Sequence, residues 1–274
     1  MVVPPPGPDS GKVAGLAAAA PQFLDHRRTV MLQSMNKPGL SGSGARARTA
    51  WRGRGGWLSA GALLVAIVLA APVSAEGILS VLARSHRQKL DELKRQAVSD
   101  PRAELLRQDF EGLLARQSPR PDVELLVVDG PVHAETLSGR VIVISAGLAV
   151  LDEGERLFIL AHELGHVQMG HWAELCAVYA RHIPAEVTPD VTDAVAPKLG
   201  REASALVHGH EYAADAFAWR SIRARGWGLG SVRGALMVVP NVGDTSTHPA
   251  TRKRLAHLRT IGEAESRSAG LDVD

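Results

Sequence analysis

The chain has 274 residues, 45% of them hydrophobic, and its 31 basic and 29 acidic side chains leave a formal net charge of +2. That length and apolar content suffice for one good-sized core or two small ones, while the near balance of charge and an aromatic content of 4% argue against nucleic acid as a partner. Cys176 is the sole cysteine, which excludes an intramolecular disulfide and leaves the redox compartment unread.

Residues 1–56 are rich in Pro, Gly, Ser, Ala and Arg, as in MVVPPPGPDSGK and SGSGARARTAWRGRGG, and a disordered basic region is expected there. Residues 57–75 form an apolar run preceded by Arg46, Arg48, Arg52 and Arg54 and closed by Val73-Ser74-Ala75. This is the order of a positive region, a hydrophobic region and an A-x-A-like cleavage site, so an export signal to the periplasm or cell envelope, cut after Ala75, is expected. The alternative is an uncleaved membrane anchor over the same residues 57–75, with the rest of the chain outside the cytoplasm.

From Ile78 to Gln117 two helical patterns meet at Asp100-Pro101, where proline fits the first turn of a new helix, and an amphipathic helical hairpin is expected over 77–120. After the break SPRPD, the β-branched runs VELLVVD and VIVIS (141–145), punctuated by the turns DGP and SGR, predict a small antiparallel sheet. Asp152 with Glu155 three residues later reads as a capping box opening a helix to about Tyr179. A second long helix is expected from Thr192 to Arg225, bent or broken near Pro197 and Gly200, with a polar tail over 263–274. No internal repeat is present.

The chemistry concentrates in AHELGHVQMGH, residues 161–171. His162 and His166 stand at i and i+4, which on a helix sets two imidazoles about 40° apart and one turn along, within reach of one ion, with Glu163 close to the same face. A solvated or core-satisfied histidine pair is the bland alternative. A catalytic zinc needs a third protein ligand. The pattern H-E-x-x-H-x-x-G-x-x-H fails, because Met169 and Trp172 stand where its Gly and His belong and His171 comes one residue early. Glu211 in HGHEYAADAFAW is the better candidate, with His208 and His210 competing on chemistry alone. Asp215, four residues later on the same face, suits the outer N–H of a liganding histidine. Cys176 reads as an apolar helix position rather than a nucleophile.

GRVIVISAGLAVL, LFILAHELGHVQMGH, HEYAADAFAW and THPATRKRLAHL follow one another in the order of the zinc metallopeptidases that include HtpX and the CAAX prenyl protease, family forty-eight of the metallopeptidases. Over about residues 122–258 the chain resembles this family, in particular its compact exported gluzincin members. The resemblance implies an α+β, mainly helical, zincin-like metallopeptidase domain over 77–262, with its core at 122–258, a small antiparallel sheet and an H-E-x-x-H active-site helix. It implies one Zn2+ per chain on His162, His166 and Glu211, Glu163 as catalytic base, and Asp215 behind the ligands. His248 and Arg254 match positions near the site and are expected to stabilise the transition state. The strand from Val141 through Val143 and Ser145 to Gly147 is expected to bind substrate backbone. His133-Ala134 departs from the Asn-Ala that members commonly carry. The implied activity is zinc-dependent endopeptidase action on protein or peptide substrates, notably unfolded or damaged cell-envelope proteins. The alternatives are a non-catalytic zinc-stabilised binding or chaperone module and a zinc amidase acting on the cell wall.

Overall fold

The computed structural model describes residues 77–184, 186–238 and 241–268. The expected disordered region 1–56 and the leader or anchor at 57–75 lie outside them. Chain order is α1 (Ile78–Lys94), α2 (Pro101–Leu114), β1 (Glu124–Val128), β2 (Ala134–Leu137), β3 (Val141–Ser145), a 3-10 turn (Ala146–Val150), α3 (Glu153–Gln168), α4 (His171–His182), α5 (Pro189–Arg223), α6 (Leu229–Val238) and α7 (Thr251–Ser268). The fold is α+β and mainly helical, as expected.

The motif helix α3 lies in the centre. Its Leu157, Phe158, Leu160, Ala161 and Leu164 recur at helical spacing and are buried with α2 (Leu106, Phe110), the sheet (Ile142, Ile144), α5 (Ala218, Ile222), α6 (Val232) and α7 (Leu258). Such positions tolerate little change, and Leu160→Ala would cost about 2–5 kcal/mol. Gly165 lets α3 and α5 approach closely, since a Cβ there would lie 3.2 Å from Phe217 and 3.3 Å from the Ala214 backbone. That approach brings Glu211 of α5 to the histidines of α3.

The sheet corrects the antiparallel expectation. Its order is β1-β3-β2, with β1 parallel to β3 and β2 antiparallel to β3. The run VIVIS is buried almost throughout, as suits a central strand, and the chain reaches it through β2, which returns along its far side. The β2–β3 turn has positive φ at Ser138 (53°) and Gly139 (64°), the backbone of a tight hairpin turn. At Gly139 a Cβ would also press on Trp172, 3.0 Å away.

Four further expectations are revised. The helices of the 77–120 hairpin form, with Asp100 accepting from the Ala103 N–H to cap α2, but they bury different cores. Ile78 and Leu82 of α1 meet Leu175, Tyr179 and Val207, whereas α2 enters the central cluster. The helix expected to run from Asp152 to Tyr179 ends at Gln168, because Gly170 adopts a left-handed conformation (φ 68°, ψ 25°) and α4 starts afresh at His171; Asp152 occupies the N-cap without a side-chain bond. α5 continues through Pro197 and Gly200 without a break. Both residues face solvent, so water can satisfy the carbonyl that loses its partner at proline. Finally, residues 263–268 of the expected tail are helical, and Glu265 bonds to Trp219, Arg220 and Arg223 of α5.

Candidate metal centre

His162 and His166 project from one face of α3 toward Glu211 on α5. Their Nε2 atoms lie 3.1 Å apart, with His162 Nε2 at 3.5 Å from Glu211 Oε2 and His166 Nε2 at 3.4 Å from Glu211 Oε1. A tetrahedral zinc with bonds near 2.0–2.1 Å spaces its ligands about 3.3 Å apart. The three side chains fit such an ion, and they are the group of His, Cys, Asp and Glu among the described residues that could hold a metal. Glu211 Oε2 is buried without a hydrogen-bond partner, an orphan that a bound cation would satisfy. The competitors of Glu211 point elsewhere. His208 Nε2 bonds the Thr245 carbonyl at 2.7 Å and His210 Nε2 the Glu174 carboxylate at 2.8 Å.

Behind His162 stands Asp215, fully buried, with Oδ1 3.0 Å from His162 Nδ1. This bond keeps the proton on Nδ1 and turns the Nε2 lone pair to the ligand pocket. Arg254 of α7 then clamps Asp215 through Nε (2.7 Å to Oδ2) and Nη2 (2.5 Å to Oδ1). Burial alone would raise the Asp215 carboxyl, but the Arg254 guanidinium outweighs it and holds the pKa down. At Glu211, too, burial is outweighed, by the facing His248, His162 and Arg254, and the carboxyl sits well below the usual range. Both stay anionic, as a ligand and its support require.

Glu163 is buried beside the ligands. Its Oε2 accepts a 2.8 Å bond from Thr136 Oγ1 of β2, which also reaches the Glu163 carbonyl at 3.1 Å. AETL carries too little strand signal in the sequence to place Thr136 beside the motif. His248, in the segment before α7, is half-buried with Nε2 3.7 Å from Glu211 Oε2 and Nδ1 2.8 Å from Thr247 Oγ1.

Two expected roles change with this geometry. Arg254 is 9% exposed and committed to Asp215, with Nη1 3.4 Å from Glu211 Oε2, so it faces the ligands from behind instead of the substrate side. The strand expected to bind substrate, Val141 to Gly147, has no open edge. Val141, Val143 and Ser145 pair with β1, Val141 and Val143 also with β2, Ser145 N–H bonds the His133 carbonyl, and Gly147 N–H bonds the Gly130 carbonyl. The strand at the rim beside Glu163 is β2. His133, the departure from Asn-Ala, is tied into that hairpin by its N–H to Ser145 Oγ at 2.9 Å.

Residues 114–188, from the end of α2 through the sheet, α3 and α4, match the model of Peptidase family M48. Over that stretch the chain is similar to this peptidase family. Members of that family are zinc metallopeptidases, and the similarity supports a metallopeptidase activity, that of a hydrolase acting on protein or peptide substrates. The match holds both histidines of the motif and stops short of Glu211, so the third candidate donor is read from geometry. No curated protein matches the chain. Among the described residues no helix is long and apolar enough to cross a membrane.

Proposed function

We propose that this chain is a zinc-dependent endopeptidase that cleaves unfolded or extended segments of cell-envelope proteins. The observation that carries the reading is the convergence of His162, His166 and a Glu211 oxygen that lacks a hydrogen bond, beside the carboxylate of Glu163. One zinc per chain, held by these three residues, would supply Lewis-acid polarisation of a water and of the scissile carbonyl.

The protein's own groups account for the remaining steps. Thr136 holds Oε2 of Glu163, which leaves Oε1 to take a proton from the attacking water and pass it to the departing amine. Asp215 keeps His162 in the liganding tautomer, and Arg254 keeps Asp215 ionised and in place. His248 receives the Thr247 hydroxyl at Nδ1, so its Nε2–H is free to donate to the carbonyl oxygen as negative charge develops there. An extended substrate pairs with the outer edge of β2, and Thr136 joins that edge to the base. Main-chain pairing reads little side-chain identity, which favours unfolded segments over one defined sequence. Residues 57–75 supply the route to the envelope, as an export signal or as an anchor.

Zinc-loaded full chain should cut casein at internal bonds, and Glu163→Ala should lower the rate by about 10²–10⁴-fold, the usual contribution of a positioned general base. Undiminished cleavage by that variant would remove Glu163 from the mechanism. Release of amide-linked fragments from peptidoglycan with casein left intact would replace this reading with that of a cell-wall amidase. Recovery of envelope protein that begins after Ala75 would support the export signal.

A further inference from the structure

His171 lies outside the ligand set, yet it is 7% exposed and lies against His166. Its Nδ1 is 2.9 Å from His166 Nδ1, and its ring stacks on that of His210 at 3.9 Å between centroids and 5° between planes. His210 is anchored in turn by Glu174, one turn along α4 from His171. The left-handed Gly170 ends α3 and starts α4 at once, which places the first ring of α4 against the last ligand of α3.

Two imidazole nitrogens 2.9 Å apart share a single proton. If His166 offers its Nε2 lone pair to a metal, its proton resides on Nδ1 and must be accepted by the neighbour. His171 then accepts at Nδ1 and carries its own proton on Nε2. The two ligand histidines are therefore backed differently, His162 by a buried carboxylate and His166 by a neutral imidazole held in plane by stacking. We propose that His171 is the positioning residue for His166, fixing its tautomer and ring angle for metal binding through the Nδ1–Nδ1 hydrogen bond.

The inference rests on the metallopeptidase reading and is tested by zinc affinity. Full-length wild type, His171→Leu (no acceptor) and His171→Asn (acceptor kept) are titrated with zinc against a chromogenic chelator, and the visible spectra of their cobalt(II) forms are recorded. His171→Leu should bind zinc about 10–100-fold more weakly, the usual effect of losing the outer partner of a ligand, and should shift the cobalt bands. His171→Asn should stay near wild type in both measurements, and the apo forms should melt alike. Should leucine fail to fold, His171→Ala serves the same arm. Wild-type affinity and spectrum in the leucine variant would overturn the proposal, as would equal losses in the leucine and asparagine variants. Failure of the wild type itself to bind zinc is a separate result and would overturn the metallopeptidase reading beneath it.

Discussion

Thr136 stands at the meeting of the sheet and the metal centre, with one hydroxyl bonded to the Glu163 carboxylate. Thr136→Val keeps the β-branched shape that suits a strand and removes only this donor. A hydrogen bond to a charged group contributes about 1.5–3 kcal/mol, so the valine variant should lose roughly 10-fold or more in kcat on casein and should also unfold at a lower temperature than wild type. Thr136→Ser should retain most of the rate. Equal rates in the valine variant and wild type would show that Glu163 does not depend on this bond. At this scale the sequence was readable where chemistry follows helical spacing. His162, Glu163 and His166 share one turn of α3, and Glu211 with Asp215 repeats the i, i+4 logic on α5. Thr136 and His171 were not readable, because one depends on which strand lies at the rim and the other on a chain reversal at Gly170.

Among the elements, β2 differs most from expectation. Four residues with alternating exposure, one of them glutamate, make a weak strand pattern, and so the antiparallel sheet read from VELLVVD and VIVIS omitted the strand between them. The buried continuity of VIVIS was itself the sign of a central strand. α1 holds the outer strand in place. Glu135, 4% exposed, is paired with Lys89 of α1 and with His133 at 3.2 Å, and His86 Nδ1 accepts from the Ser138 N–H at 3.1 Å. Burial pushes the Glu135 carboxyl up, but the His133 bond and the Lys89 charge together outweigh it, so the pKa falls below the ordinary 4.5. A carboxyl depressed by folding stabilises the native state above its unfolded pKa, and that contribution is lost as pH falls through the folded value. The gap in unfolding temperature between wild type and Glu135→Gln should therefore be widest near neutrality and narrow as the pH drops below 4.5. A gap that stays constant with pH would show that the Lys89 and His133 pairing contributes nothing net.

For the whole molecule, the proposed metal site lies where His162 and His166 of the central helix face Glu211 of α5, and α7 reaches the same point through Arg254 and Asp215. An ion that binds only the native arrangement adds stability by mass action, about 4 kcal/mol at a thousandfold excess over Kd. Chelation should then lower the unfolding temperature by on the order of 10 °C. His166→Ala should show no such response to chelator. The most direct test of the central claim is the zinc content of the purified full chain beside that of Glu211→Gln, measured by elemental analysis after dialysis against buffer with a weak chelator. A site built by His162, His166 and Glu211 predicts one zinc per chain in wild type and little in the glutamine variant, whereas zinc fully retained by Glu211→Gln, or absent from wild type, would contradict it.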